Sequence, residues 1–265
     1  IIWQSRFSSL RVKFESVTGQ TFASGLKLLL QVSVNYSEQY GMSLIINDIN
    51  PEYTIGDMAR RRQEILNRLT AEGLIDRNKE LQWVAVPQRI AIVSAQTAAG
   101  YGDFINQLHN NQSGIQFYTC LFQAAMQGER TVPTIKDALC RIYDYIDLFD
   151  CVVLIRGGGA TSDLHSFDDY ELAAAIAQFP LPVIVGIGHE RDTTVLDFVA
   201  AQRVKTPTAA AEWLIERAEN ALSYVNSLVE TVIKKSTEYV VRANEQLSYF
   251  GSMIPVVAQN KIDTT

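Results

Sequence analysis

The chain has 265 residues, of which 47% are hydrophobic and 20% are charged, a balance typical of a folded protein with an extensive apolar core. Its formal net charge of -6 excludes a uniformly basic nucleic-acid coat, so any contact with phosphates has to be local. The apolar runs are shorter than the ~20 residues of a bilayer span, and no signal segment is evident. We therefore expect a cytoplasmic protein without membrane spans. Three cysteines without C-x-x-C spacing favour buried thiols over disulfides or a zinc site.

Residues 1–55 contain two β-like runs, Leu26–Val34 and Met42–Ile49, and are predicted to form a small β module. Two strands are too few for independent stability, so further strands are expected upstream. Asp57 is predicted to cap a helix that Gly73 ends, which makes 56–86 a connecting helix.

From residue 87 to residue 205, short β-rich runs alternate with helical segments. The runs are Arg89–Ser94, Ile115–Cys120, Cys151–Arg156 and Pro182–Gly188, and the helical segments are 101–110, 131–147 and 168–178. Because the strands are apolar on both faces, the fold class is predicted to be α/β, with a parallel sheet flanked by helices.

The last segment, 206–265, opens at Thr206-Pro207 and is predicted to be a long helix. Its apolar positions step by four and three, as in a coiled-coil seam. They are Leu214, Ala218, Ala221, Val225, Leu228 and Val232. We interpret this segment as the start of a coiled-coil region.

The strongest local motif is Arg156-Gly157-Gly158-Gly159, at the end of an apolar strand. Glycines let the backbone approach a phosphate closely, and a guanidinium can bind phosphate oxygens with two parallel hydrogen bonds. A tight strand-to-helix turn with a structural arginine is the plain alternative. The motif matches neither a P-loop nor a dinucleotide fingerprint, so it does not imply a nucleotide cofactor.

The next strand ends in a segment that carries His189 and Asp192. An imidazole can transfer protons near neutral pH, and a carboxylate three residues on can share its proton. A lone histidine is more often solvated or packed, but this one lies between glycines and carboxylates. We predict a catalytic role for both residues.

The first strand leads from Ser94 through Thr97 to Asp103. In a parallel sheet these strand ends share one edge, so Asp103 is expected to converge with Arg156 and the His189 segment. Ser94 and Thr97 are predicted to join the glycine loop in binding phosphate. Taken by itself, Asp103 would be an ordinary first-turn helix carboxylate.

Four segments together resemble the large subunits of bacterial exodeoxyribonuclease VII. They are Thr97–Asp103; Arg156–Gly159 with Asp163, Leu164 and Phe167; Gly188–Glu190 with Asp192 and Asp197–Ala200; and Thr206-Pro207 with Ala209–Glu212. Each segment is weak alone, whereas their joint order and spacing are specific. Five positions depart from the usual pattern: Ala160, Ser162, His165, Asp168 and Arg191, where Ser, Glu, Trp, Asn and Thr are usual.

The resemblance implies an exonuclease that degrades single-stranded DNA to oligonucleotides, with Asp103, Arg156, His189 and Asp192 as its essential residues. It implies that 1–55 is a partial OB-fold, that 87–205 is the catalytic domain, and that the coiled coil binds exodeoxyribonuclease VII small subunits. No cofactor is required by the resemblance. Mg²⁺ held by Asp103 and Asp192 stays an open alternative.

A second hypothesis is a non-catalytic module that binds phosphate or DNA and recruits partners through its helices. A third, a small-molecule enzyme with a Rossmann-like fold, is disfavoured because the dinucleotide fingerprint is missing.

Overall fold

The computed structural model describes residues 1–18, 22, 26–39, 41–157, 161–187 and 193–263, apart from the side chains of 161–163. Gly158, Gly159, His189 and Asp192 therefore lie outside the described residues. The chain divides into two compact units, Ile1–Ile215 and Glu216–Thr265.

The first unit begins with helix α1 (Gln4–Thr18), followed by strands β1 (Leu29–Ser37) and β2 (Gly41–Asn50). The two strands form an antiparallel hairpin, which confirms the two predicted β runs. The helix was not predicted, because only Leu10 and Phe14 are buried along its length and so leave little apolar periodicity in the sequence.

Helix α2 (Pro51–Ala71) starts earlier than predicted. Asn50, not Asp57, is its N-cap, and its side chain accepts a hydrogen bond from the backbone N–H of Tyr53. Pro51 follows in the first turn, where a missing N–H costs nothing. The helix ends at Ala71 with Glu72 as its C-cap, and Gly73 follows with a positive φ of 67°, which favours glycine.

Asp57 instead lies within α2, and its carboxylate is buried. It accepts a hydrogen bond from the guanidinium of Arg60 at 2.6 Å. It also pairs with Arg61 at 2.9 Å and with Lys27 at 3.4 Å. The hydrogen bond from Arg60 is the main cause that lowers the pKa of Asp57. Arg60 and Arg61 on α2 are therefore both paired with one buried carboxylate.

Five parallel strands form the central sheet, which confirms the predicted α/β class. They are β3 (Arg89–Ser94), β4 (Tyr118–Gln123), β5 (Cys151–Ile155), β6 (Val183–Gly186) and β7 (Gln202–Arg203), in the spatial order β4-β3-β5-β6-β7. The connecting helices are α3 (Ala99–His109), α4 (Thr131–Tyr143), α5 (Tyr170–Ala177) and α6 (Leu196–Val199). Two 3₁₀ turns, Ile146–Leu148 and Thr161–Phe167, complete the unit.

Strand β4, the second strand of the central sheet in sequence, begins three residues later than the predicted run Ile115–Cys120. The reason is that its ladder with β3 starts where Tyr118 lies opposite Arg89. Strands β5 and β6 are buried throughout, as expected of central parallel strands covered on both faces. On α4, Ile135, Leu139 and Ile142 recur at helical spacing and are buried against the sheet.

The segment between α2 and β3 is held by a buried asparagine, Asn78. Its amide nitrogen donates to the carbonyl oxygens of Phe179 and Leu181, both at 3.0 Å. Its carbonyl oxygen accepts from the N–H groups of Val183 at 2.9 Å and Ala201 at 3.0 Å. One side chain thus binds four backbone groups, which a buried loop requires.

Helix α7 (Pro207–Asp263) confirms the predicted long C-terminal helix. In the first unit, Ala210, Ala211 and Leu214 are buried, and the ring of Trp213 lies 4.7 Å from that of Trp83. In the second unit, the predicted seam positions Val225, Leu228 and Val232 are large exposed apolar side chains. Their pairing as a coiled coil stays a prediction.

Of the three cysteines, Cys151 is buried, and burial raises the pKa of its thiol. Cys120 and Cys140 are exposed, so the expectation of buried thiols is wrong for these two. In the part of the chain that the structure describes, no helix combines the length and apolarity needed to cross a membrane.

Candidate phosphate-binding site

The order of the sheet determines where a ligand can bind. The first two strands of the sheet in sequence are β3 and β4, and the chain then crosses over to β5 on the other side of β3. This is the 2-1-3-4-5 order of flavodoxin-like sheets, in which ligands bind at the carboxyl ends of the strands where the direction of winding reverses. Here that point lies between the ends of β3 and β5.

A pocket of ≈ 420 Å³ lies at this point. Its walls come from the loop after β3, the loop after β4 and the end of β5. The lining residues are Ala95, Thr97, Ala98, Ala99, Ala125, Met126, Gln127, Arg156 and Gly157. Three of the predicted site residues, Thr97, Arg156 and Gly157, are therefore brought together.

Arg156 carries the positive charge of this pocket and is only 5% exposed. Its backbone N–H donates to the carbonyl oxygen of Gly186 at 3.4 Å, which extends the β5–β6 ladder by one residue. Ala98 is the N-cap of α3, and its side chain supplies no hydrogen bond to the helix N-terminus. Ala98 and Ala99 at this N-terminus and Arg156 line the same pocket. A helix N-terminus and a guanidinium both favour an anion.

Close backbone packing explains two glycines of the site. A Cβ on Gly157 would lie 2.8 Å from the Cβ of Ala98 and 3.0 Å from the backbone nitrogen of Ala99. A Cβ on Gly100 would lie 2.7 Å from the Cγ of Pro207. The loop after β5, the start of α3 and Pro207 at the start of α7 therefore meet beside the pocket.

The other predicted residues occupy different positions. Ser94 ends β3 and is fully buried, and its hydroxyl has no hydrogen-bond partner among the residues that the structure describes. Asp103 is exposed on α3. Neither is among the described residues that line the pocket. The predicted convergence of Asp103 with His189 and Asp192 stays a prediction, because the latter two lie outside the described residues.

Two carboxylates that the sequence analysis did not assign to the site bind the chain just after the His189–Asp192 segment. Asp168 accepts a hydrogen bond from the N–H of Val195 at 2.8 Å, and Asp197 accepts from the N–H of Thr194 at 2.6 Å. Burial is the main cause that raises the pKa of Asp197. The only sequence signal for Asp168 was its departure from the family pattern.

The sequence left Mg²⁺ binding at the same edge of the sheet as an open alternative. Across the described residues, no group of three or more His, Cys, Asp and Glu side chains is clustered as metal ligands would be. The proposed Mg²⁺ ligands Asp103 and Asp192 are not tested by this observation, because Asp192 is not among those residues.

Sheet order and pocket thus define an α/β domain with a candidate ligand site at its topological switch point. Residues 74–264 match the family model described as Exonuclease VII, large subunit, and the chain belongs to this family. It is 34% identical to the exodeoxyribonuclease 7 large subunit of Deinococcus radiodurans, an alignment that covers 99% of this chain and 64% of that protein.

Two further relatives bear the same name. The large subunit of Alkaliphilus oremlandii is 32% identical over 85% of this chain and 56% of its own length, and that of a Nostoc species is 38% identical over 61% of this chain and 38% of its own length. The chain thus spans less than two thirds of the length of these curated relatives.

Proposed function

We propose that this chain is the catalytic part of an exonuclease that hydrolyses phosphodiester bonds of single-stranded DNA and releases oligonucleotides. The observation that carries the proposal is the pocket at the switch point, where the buried Arg156 and the N-terminus of α3 line one concave surface. Family membership supports a nuclease acting on DNA.

In the proposed mechanism, Arg156 and the backbone N–H groups of the glycine loop, Gly157–Gly159, bind the scissile phosphate. They stabilise the negative charge that develops on its oxygens in the transition state. His189 transfers a proton to or from the reacting oxygen. Asp103 and Asp192 orient either the imidazole or the attacking water.

In an alternative version of the mechanism, Asp103 and Asp192 bind Mg²⁺ and do not orient the imidazole or the attacking water directly. A divalent cation held by Asp103 and Asp192 would supply charge stabilisation and a more acidic bound water. The two versions differ in one measurable property, because only the metal-dependent version loses activity in a chelator.

The flanking segments are proposed to serve the same reaction in the cytoplasm. The hairpin β1–β2 with α1 would belong to a partial OB-fold that captures single strands through backbone contacts and base stacking. The exposed apolar stripe of α7 would form a coiled coil that binds small subunits. Co-expression of the full-length large subunit with its small subunit tests the last point, and purification of the large subunit alone would contradict it.

The decisive experiment measures degradation of end-labelled single-stranded and duplex DNA by the full-length complex, in Mg²⁺ and in chelator. The variant is His189→Ala, and the matched control is His109→Ala, because His109 is exposed at the end of α3 and away from the pocket lining. We expect His189→Ala to abolish single-strand degradation and His109→Ala to retain it.

If the well-folded wild-type complex degrades no DNA, the nuclease proposal fails. Retained binding of DNA or phosphate would then favour the non-catalytic module. Full activity of His189→Ala would remove the imidazole from the mechanism.

A further inference from the structure

We propose that Asp168 is a positioning residue that couples helix α2 to the chain immediately following His189 and Asp192. The inference rests on the proposed function, because its effect is measured in DNA hydrolysis. It concerns a residue that touches neither substrate nor the reacting atoms and that acts through the backbone of its neighbours.

The first half of the coupling is the ion pair between Asp168 and Arg62. One carboxylate oxygen of Asp168 accepts from both Nε, at 2.9 Å, and a terminal nitrogen, at 2.7 Å, of the Arg62 guanidinium. The side chain of Asp168 is only 10% exposed and that of Arg62 is 32% exposed. A buried carboxylate needs such a partner, because an unpaired charge in this position is costly.

The second half of the coupling is the other oxygen of the same carboxylate, which accepts a hydrogen bond from the N–H of Val195 at 2.8 Å. Val195 is fully buried and follows Asp192 by three positions in the sequence. Asp168 thus binds the backbone of a buried residue three positions after the proposed catalytic segment.

A neighbouring carboxylate strengthens this anchor. Asp197 accepts hydrogen bonds from the N–H of Thr194 at 2.6 Å and from its hydroxyl at 3.1 Å. Two consecutive backbone N–H groups, those of Thr194 and Val195, are therefore held by two different carboxylates. Asp197 also pairs with Arg203 of strand β7, at 3.5 Å, within the sheet. Asp168 pairs with Arg62, on an element that does not belong to the sheet.

That element is α2, which begins where β2 ends and therefore carries the N-terminal hairpin. Farther along α2, the guanidinium of Arg68 lies 3.5 Å from the ring centroid of Tyr170, and the Tyr170 hydroxyl donates to Glu72. Helix α2 is thus fixed to the start of α5 as well as to Asp168. A displacement of α2 would be transmitted to the backbone at Val195 through a single carboxylate.

The test compares Arg62→Gln, Asp168→Asn and Asp168→Ala in the full-length complex by steady-state degradation of single-stranded DNA. Asparagine keeps an acceptor for the Val195 N–H, whereas alanine removes it. We expect kcat to fall roughly 10- to 100-fold in Asp168→Ala, since small misplacements of a catalytic group have effects of that size, with KM nearly unchanged. Asp168→Asn should recover only part of the lost kcat, because its single amide oxygen can accept from the Val195 N–H while the pairing with Arg62 is lost.

The matched control is Arg61→Gln, at the position that precedes Arg62 in the same helix. The guanidinium of Arg61 pairs with Asp57 at 2.9 Å, and its side chain is 58% exposed. Asp57 keeps Arg60 and Lys27 as partners in that variant. We expect wild-type kcat from the control and a lower kcat from Arg62→Gln. All variants are assayed well below their unfolding temperatures, so that a loss of stability alone leaves kcat unchanged.

Equal kcat values for wild type, Arg62→Gln and Asp168→Ala would overturn the inference while leaving the proposed nuclease function intact. A rise in KM at constant kcat would also overturn it, because it would assign Asp168 to substrate binding. An inactive wild type would count against the proposed function itself.

Discussion

A Cβ atom on Gly100 would lie 2.9 Å from the Cα of Gly157, closer than side chains approach a backbone carbon. Gly100 belongs to the first turn of α3 and Gly157 follows β5, so this contact joins the two strand ends that flank the pocket. The shape of the candidate phosphate site therefore depends on the absence of both side chains.

Replacement of Gly100 by alanine is expected to lower the free energy of unfolding by about 1–3 kcal/mol, because the new methyl group must displace Pro207 and Gly157. Gly102→Ala in the same helix is the control, since a Cβ there meets nothing within 4 Å. It should raise stability by ~0.5–1 kcal/mol through helix propensity. Urea unfolding of both variants checks this, and equal stabilities would contradict the packing argument.

Asn78→Ala is expected to reduce stability by at least about 3 kcal/mol, because four buried backbone groups lose their partner and several stay unsatisfied. Asn67→Ala, at an exposed position of α2, should change stability by less than ~0.5 kcal/mol. Thermal unfolding monitored by circular dichroism distinguishes the two. A small effect at Asn78 would mean that water replaces the amide.

Asp197→Asn is expected to change the pH dependence of stability. Burial raises the pKa of Asp197 in the folded state, so the folded protein binds more protons than the unfolded chain between the two pKa values. Ionisation of Asp197 therefore lowers stability as pH rises through that window. The stability of Asp197→Asn relative to wild type should be greater at pH 7 than at pH 4. Denaturant titrations at both pH values measure this difference, and a constant difference would refute it.

Arg156→Lys is expected to weaken DNA hydrolysis strongly although the charge is kept. A lysine ammonium cannot reproduce the planar pair of donors with which a guanidinium binds two phosphate oxygens. We expect kcat to fall by about 10²-fold, the size seen when one stabilising donor of a transition state is lost. Arg141→Lys, on the exposed face of α4, is the control. Activity close to wild type in Arg156→Lys would assign Arg156 a purely electrostatic role.

The sequence predicted the sheet well because its central strands are apolar on both faces and are separated by amphipathic helices, as on α4 with Ile135 and Ile142. Of the predicted site residues, Thr97, Arg156 and Gly157 do lie together, since parallel strand ends share one edge, whereas Ser94 and Asp103 are not among the described residues that line the pocket. The sequence did not predict α1, in which only two residues face inward. The sequence analysis also placed Asp57 at the start of a helix. An aspartate that pairs with arginines inside a helix and an aspartate that caps a helix look the same in the sequence.

Long-range partners were the hardest feature to predict. Arg62 and Asp168 are separated by 106 positions, and nothing in either local pattern indicates the other. Asn78 is a similar case, because a polar residue between two apolar segments usually marks a solvated loop. Asp168 and Asn78 acquire their partners only when distant segments of the chain pack together in the folded domain.

The four bonds of Asn78 also bear on the order of events in folding. Their partners lie between 101 and 123 positions away, so no early local structure can form them. Interactions that are absent from the transition state slow unfolding and leave the folding rate almost unchanged. A single amide would thereby lengthen the lifetime of the native domain, and with it the time for which the loop before β3 resists proteolysis.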